Sequence, residues 1–182
     1  MVASSISNVF FKTHNKAGQT AHFVRWTRYT AFHSPVPAAL CVLATAMIIR
    51  KYTENDKNGL VQLWSKSFPN DPPHNEPSKM IEAKLEVDDQ IFVAEDGGRI
   101  VGACMAGYDG HRGWLYSVAV MPEQRRQGIG QGLIEKAMNA LKEIGCIKVN
   151  LQIRASNQGV RAFYKSLGFD VEERISMGTF LE

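Results

Sequence analysis

Ser117-Val118-Ala119-Val120-Met121-Pro122-Glu123-Gln124-Arg125-Arg126-Gln127-Gly128-Ile129-Gly130 is the stretch on which the reading of this chain turns. Its first residues are the end of a strand, and Pro122 stops it. Two arginines follow. Gly128-Ile129-Gly130 then opens a helix predicted from about Gly128 to Ile144, with an apolar face of Ile129, Leu133, Ile134, Ala137, Leu141 and Ile144 and with Gly145 at the C-terminal cap. Strand, basic loop and glycine-opened helix together suit a phosphate. A helix N-terminus offers unpaired N–H groups and about +0.5 of an elementary charge. Glycines admit close backbone approach, and Arg125 and Arg126 add fork-shaped donors. Two familiar phosphate patterns are missing: the dinucleotide fingerprint would need glycine where Leu133 stands, and no Gly-Lys-Ser/Thr occurs. A tight strand-to-helix turn built only for packing would also carry these glycines.

Outward from this stretch the periodicity is regular from Met47 onward. Strands are predicted at Ile48–Tyr52, Ile91–Glu95, Arg99–Tyr108, Trp114–Met121 and Ile147–Ile153, with a final strand or hairpin at Phe169–Phe180. Thr53 with Asp56 resembles a capping box ahead of a helix carrying Leu60, Leu63, Trp64 and Phe68. Pro77 suits the first turn of a short helix through Met80, Ile81 and Leu85. Asp96-Gly97-Gly98 is a hairpin turn, and Asn157–Leu167 a last helix. The order β-α-α-β-β-β-α-β-α-β gives an α/β (α+β) domain with a mixed sheet flanked by helices.

Two motifs in register narrow the family. Arg-x-x-Gly-x-Gly after a Val-x-Val-x-Pro strand resembles motif A of the GCN5-related (GNAT) N-acetyltransferases. Asn157-Gln158-Gly159-Val160-Arg161-Ala162-Phe163-Tyr164-Lys165-Ser166-Leu167-Gly168-Phe169 is similar to their second motif, Asn-x-x-Ala-x-x-Phe-Tyr-x-x-x-Gly-Phe, and begins 27 residues after Gly130. Tyr108-Asp109-Gly110-His111-Arg112-Gly113 resembles the YpeA-like bacterial subgroup. Val118 and Val160 depart conservatively from the common Leu and Ala. The resemblance implies the acyl-CoA N-acyltransferase fold over 47–182, with acetyl-CoA as cosubstrate. It implies that the strand before the glycine loop splays at a bulge. Val118, Ala119 and Val120 would then hold pantetheine, Arg125, Arg126, Gln127, Gly128, Ile129 and Gly130 the pyrophosphate, and Asn157 the pantetheine amides. A helix N-cap is the plainer role for Asn157. Tyr164 would be the general acid: the leaving thiolate has a parent pKa of about 8.5, within reach of a phenol near 10. A tyrosine that only packs against the sheet is the competing reading.

The amine acceptor is not specified; a small molecule and a peptide both fit. Asp109, His111 and Glu95 are the candidate bases, each with a plain structural alternative. Freeing a lysine amine at neutral pH costs about 4.6 kcal/mol and an N-terminal amine about 1.4, so a water path can serve. Substrate choice is expected in the loops Pro69–Pro77 and Asp109–Gly113. The rivals to acetyl transfer are a CoA-binding regulatory module without turnover and transfer of a different acyl group.

Composition bounds the rest. The chain has 182 residues, 45% hydrophobic and 21% charged, which excludes wholesale disorder. Its three cysteines, Cys41, Cys104 and Cys146, form no Cys-x-x-Cys pair, against a disulfide scaffold or zinc ribbon. Cys104 and Cys146 sit in apolar runs and read as buried thiols. No metal is expected, and His74 with His111 lacks a ligand spacing. The net charge of +3 is uneven: residues 1–46 hold four bases and no acid, and the rest is close to neutral, so no nucleic-acid partner is expected. No membrane association is expected, and a monomer or homodimer is. Residues 1–46 are read as a non-catalytic extension: sequence upstream of a natural start at Met47, an organelle transit leader, or a membrane anchor that its 15 apolar residues at Pro35–Ile49 are too short to supply. The expected location is cytoplasmic, or an organelle matrix with a transit leader. A chain starting at Met47 is expected to be soluble and to bind CoA. Aggregation of that chain beside a soluble full-length protein would put the leader inside the fold.

Overall fold

The computed structural model describes residues 47–181, so the expectations on the leader lie outside the described residues. Strands β1 (Ile48–Lys51), β2 (Ile91–Asp96), β3 (Arg99–Tyr108), β4 (Gly113–Val120) and β5 (Val149–Leu151) form one sheet in that order. The first four are antiparallel neighbours, and β5 joins β4 in parallel. Helices α1 (Lys57–Ser67) and α2 (Pro77–Val87) lie between β1 and β2 in sequence, α3 (Ile129–Glu143) between β4 and β5, and α4 (Gln158–Ser166) after β5. No helix among the described residues is long and apolar enough to cross a membrane.

Local chemistry explains the boundaries. Gly97 (φ +57°) and Gly98 (φ +78°) turn the β2–β3 hairpin with the two positive φ angles its tight turn needs. Thr53 donates its backbone N–H to Asp56 at 2.7 Å ahead of α1. Pro77 opens α2, with the Glu76 carboxylate accepting from the Ser78 and Lys79 amides. Gly145 (φ +88°) ends α3, as the sequence pattern predicts.

The core lies on both faces of the sheet. Leu60, Leu63 and Trp64 of α1 and Ile81 of α2 are fully buried, as are Leu133 and Leu141 of α3. Two bare positions seat α3. At its N-terminal end, a Cβ on Gly102 of β3 would stand 3.0 Å from Ile129 and 3.0 Å from Leu133. At its other end, a Cβ on Gly113 of β4 would stand 3.0 Å from Leu141 and 2.7 Å from the Cys146 sulfur.

The predicted sixth strand at Phe169–Phe180 is a correction: that segment forms no strand. Its contacts to the β5 side are made by side chains, Lys148 with Glu172 and Gln152 with Ser176. Ile175 and Met177 are exposed there. The predicted strand Ile147–Ile153 likewise shortens to Val149–Leu151, because only Gly113–Leu115 of β4 pair with it.

Candidate active site

The parallel pairing stops at Leu115 and Leu151, so β4 runs on from Tyr116 to Val120 with no β5 partner. A bulge sits at that point. Met105 pairs with Tyr116 but Ala103 pairs with Ala119, so Ser117 and Val118 together oppose Cys104. Ser117 has φ +50°, a left-handed backbone that costs a non-glycine residue about 1–2 kcal/mol. The fully buried Trp64 donates its indole N–H to the Ser117 carbonyl at 2.8 Å. Such a bond contributes about 1 kcal/mol, which is of the size of the strain it accompanies.

Beyond the bulge the directions of the backbone groups follow. Met121 N–H donates to Val101 O at 2.8 Å, so β4 faces β3 at that residue. Strand alternation then turns Ala119 toward β3 and the N–H and C=O of Val118 and Val120 toward the gap. Arg125 Nε reaches the Val120 carbonyl from that open side, at 3.1 Å. Ala119 buries its methyl group in the core, between the two half-buried valines.

The glycine loop lies at the end of this strand. Gly128 caps α3 with φ +81° and no side-chain cap, so the first N–H groups of α3 keep no capping partner. A Cβ on Gly128 would meet nothing within 4 Å. Arg126 is left-handed too, at φ +62°, and such residues build backbone nests that hold anions. Arg125, Arg126 and Gln127 are exposed. Ile129 is buried under α3, and only its backbone belongs to the loop. Gly130 faces α4: its Cβ would be 3.3 Å from the Phe163 ring and 3.8 Å from Val120.

Helix α4 brings the second motif to the same place. Asn157 caps it, Oδ1 accepting from the Val160 amide at 3.2 Å, which leaves the Asn157 NH₂ group to donate outward. Tyr164 is 7% exposed and meets Phe163 and Phe169 edge-on, with ring centroids at 5.2 and 5.5 Å. Its hydroxyl has no hydrogen-bond partner among the described residues. Burial, and secondarily the neighbouring Cys104, pushes the phenol above its ordinary value of 10.0, so it stays protonated through the physiological range. Cys104 is fully buried and its thiol is pushed up to about 12 by desolvation, which denies it the thiolate a nucleophile needs.

Two of the three candidate bases, Asp109 and Glu95, are engaged in structural bonds. Asp109 accepts from the His111 and Arg112 amides at 2.7 and 2.6 Å, and these bonds hold its carboxyl below the ordinary 3.8. It is a turn residue, and His111 stands exposed beside it. Glu95 accepts from Arg50 Nη2 at 2.6 Å, in a network where Arg50 also grips Asp56 at 2.6 and 2.8 Å. His74 stacks edge-on against Phe180 at 5.2 Å.

The loop after α1 lines a cleft of about 240 Å³ whose walls include Trp64, Phe68, Asp71, Pro73, Glu76 and Met80. Asp71 is tied across to Arg154 at 2.6 Å. Trp64 and Ser117 were absent from the residues that the sequence singles out for binding. Nothing local marks a serine for a left-handed backbone, and Trp64 reads simply as one residue of an apolar helix face.

Comparison with known proteins agrees with this architecture. The model of the acetyltransferase (GNAT) family matches residues 57–169. An acetyltransferase of Sodalis glossinidius is 37% identical over 130 residues, 71% of this chain and 91% of the relative. One of Pectobacterium atrosepticum is 38% identical over 133 residues, 72% of this chain and 94% of its own length. Among solved structures, an aminoglycoside N-acetyltransferase in complex with CoA superposes with a TM-score of 0.64 at 20% identity, over 74% of this chain and 95% of the other. The ribosomal-protein-S18-alanine N-acetyltransferase of Escherichia coli gives 0.59 at 22% identity, over 69% and 78%. At these identities the two structures speak for the fold.

Proposed function

Because this chain belongs to the GNAT acetyltransferase family, and is an N-acetyltransferase on that ground, we propose that it moves the acetyl group of acetyl-CoA to a primary amine by direct attack in a ternary complex. The observation that carries the reading is the gap beside β4: backbone groups of Val118 and Val120 turned outward, ending at the uncapped start of α3. That arrangement fits a pantetheine arm and a pyrophosphate in sequence. When bound, acetyl-CoA supplies the thioester carbon for the amine and a thiolate to leave.

The roles of the chain's own residues follow. Val118 and Val120 pair their N–H and C=O groups with the amides of the arm. The loop from Arg125 to Gly130 meets the pyrophosphate with backbone N–H groups and the helix dipole. Arg125, anchored through Nε, keeps its terminal nitrogens for the phosphates. Asn157 caps α4 with its oxygen and turns its NH₂ to the arm. Tyr164 holds a proton at its hydroxyl for the departing sulfur. The amine enters from the cleft lined by the α1–α2 loop and releases its proton to water. The acceptor is a small amine or a peptide amine.

Incubation with acetyl-CoA and a panel of amines, with free thiol followed, tests the reading. Thiol release that depends on an amine is expected. Tight CoA binding with no amine-dependent release would instead favour a regulatory module, and faster release from propionyl- or succinyl-CoA a different acyl donor.

Gly128 tests the loop. Its left-handed φ means that Gly128→Val is expected to cost about 1–2 kcal/mol of stability as well as affinity. Gly128→Asn separates the two effects, because asparagine tolerates that backbone. It is expected to melt near the wild type and to bind CoA at least roughly tenfold more weakly, the worth of one charge-assisted hydrogen bond. Unchanged affinity by calorimetry would remove the pyrophosphate from this loop.

A further inference from the structure

We propose that Trp64 is a positioning residue for the acyl donor, acting through the Ser117 carbonyl to hold the β4 bulge, a role that rests on the acetyl-CoA reading above. The register shows what the bulge does. Ala103 pairs with Ala119 and Gly102 with Val120, whereas Met105 pairs with Tyr116. Without the extra residue, the pairing of Met105 with Tyr116 would continue as Ala103 with Val118 and Val101 with Val120. The N–H and C=O groups of both valines would then point into the β3–β4 ladder, and those of Ser117 and Ala119 would face the gap. The bulge therefore decides which backbone groups the gap presents.

Holding it requires Ser117 at φ +50°, a conformation glycine adopts freely and serine does not. Ser117 and Arg126 are the only non-glycine residues among those described with positive φ. The support comes from the far side of the sheet. Trp64 belongs to α1, is fully buried, and places Nε1 2.8 Å from the Ser117 oxygen. Its indole can only donate, so this carbonyl is its one polar contact and fixes the ring and the bulge together. Trp64 also lies beneath the α1–α2 cleft, so one buried side chain underlies the proposed amine entrance and steadies the strand proposed to hold the thioester arm.

Trp64→Phe keeps an aromatic ring and deletes the donor. It is expected to weaken acetyl-CoA binding about tenfold by calorimetry, the loss of one hydrogen bond amplified by the turned valines. Adding Ser117→Gly in the same chain is expected to restore most of the affinity, since glycine holds the bulge unaided, while the melting temperature stays low because the space left by the indole is not refilled. Ser117→Val with Trp64 intact gives a second route: a β-branched residue resists φ +50°, so affinity is expected to fall although Trp64 is untouched. Trp64→Phe binding as tightly as the wild type, or affinity that tracks the melting temperature and ignores Ser117→Gly, would overturn the positioning role. The HN–Hα coupling at residue 117 reads the bulge without any cofactor. A wild type that keeps the left-handed value but binds no acetyl-CoA would overturn the acyl-donor reading, and this role with it. A Trp64→Phe chain that keeps the left-handed value at Ser117 would overturn the clamp alone.

Discussion

Replacing Tyr164 by phenylalanine is expected to lower the single-turnover acetylation rate by about 10² to 10⁴, the usual worth of a positioned acid. The structure makes this a clean experiment. The ring is buried between Phe163 and Phe169, and phenylalanine keeps those edge-on contacts. The hydroxyl makes no hydrogen bond among the described residues, so its removal strands no partner and stability should change little. Acetyl-CoA affinity should likewise move by less than about 1 kcal/mol. The phenol's pKa lies above its ordinary 10.0, so the rate should show no alkaline loss attributable to Tyr164 across the physiological range. The acceptor must be one the wild type turns over, with chemistry limiting the rate. Equal rates for the two proteins would leave the thiolate to be protonated by water.

The largest effect on stability is expected at Arg50. Its guanidinium holds the buried Asp56 carboxylate with two bonds and Glu95 with two more, joining β1, β2 and the turn into α1. Arg50→Met leaves Asp56 buried with only Thr53 as a partner, at a cost of about 3 kcal/mol, the low end for a stranded buried charge. Against a typical total of about 5–15 kcal/mol this is a large share, and the melting temperature should fall by roughly 10 °C.

The pH dependence gives a second signature. In the wild type the Asp56 carboxyl lies below its ordinary 3.8, chiefly through the Arg50 hydrogen bonds and against the opposing effect of burial. The stability this carboxylate contributes is complete above the unfolded value and is lost as pH falls through the lower folded value. In Arg50→Met the main depressing partner is gone, and burial and the Thr53 bonds oppose each other. The carboxyl then lies higher than in the wild type, and the variant has less carboxylate stabilisation to lose on acidification. The gap between the two melting curves should therefore narrow as the pH is lowered. Parallel curves from pH 7 to about pH 3 would show that Asp56 is not the group being stranded.

What the sequence made legible was local chemistry. The glycine loop, the α3 helix to within a residue at either end, the Asp96-Gly97-Gly98 hairpin and the Asn157 cap each depend on a few neighbouring residues. Pairing is not local, and there the reading failed. The spaced apolar residues of Phe169–Phe180 suit a strand or hairpin, but a sequence pattern cannot supply a partner. Among the described residues, the hydrogen bonds from that segment to the β5 side are made by side chains. The bulge was expected from family resemblance, but its support was not. Ser117 looks like any strand serine, and the tryptophan that holds it is 53 residues away. Asp109 and Glu95 were legible as carboxylates near the sheet's ends, whereas their partners, two amides and an arginine, appear only in three dimensions.

The two bare positions under α3 bear on how this protein can change over generations. Gly102 and Gly113 contribute no reactive group, yet a single methyl at either would meet Ile129 and Leu133 at one end of the helix, or Cys146 and Leu141 at the other. Those side chains would have to give way, and any shift passed on to α3 would move the Gly128–Gly130 amides relative to the end of β4. The α1–α2 loop meets the rest of the chain through side chains instead, such as Asp71 with Arg154 and His74 with Phe180. On the proposed function, descendants of this chain would change acceptors by rewriting that loop while the seat of α3, and with it the proposed acyl-donor loop, stays as it is. The positions they are least free to alter are the ones that carry no side chain.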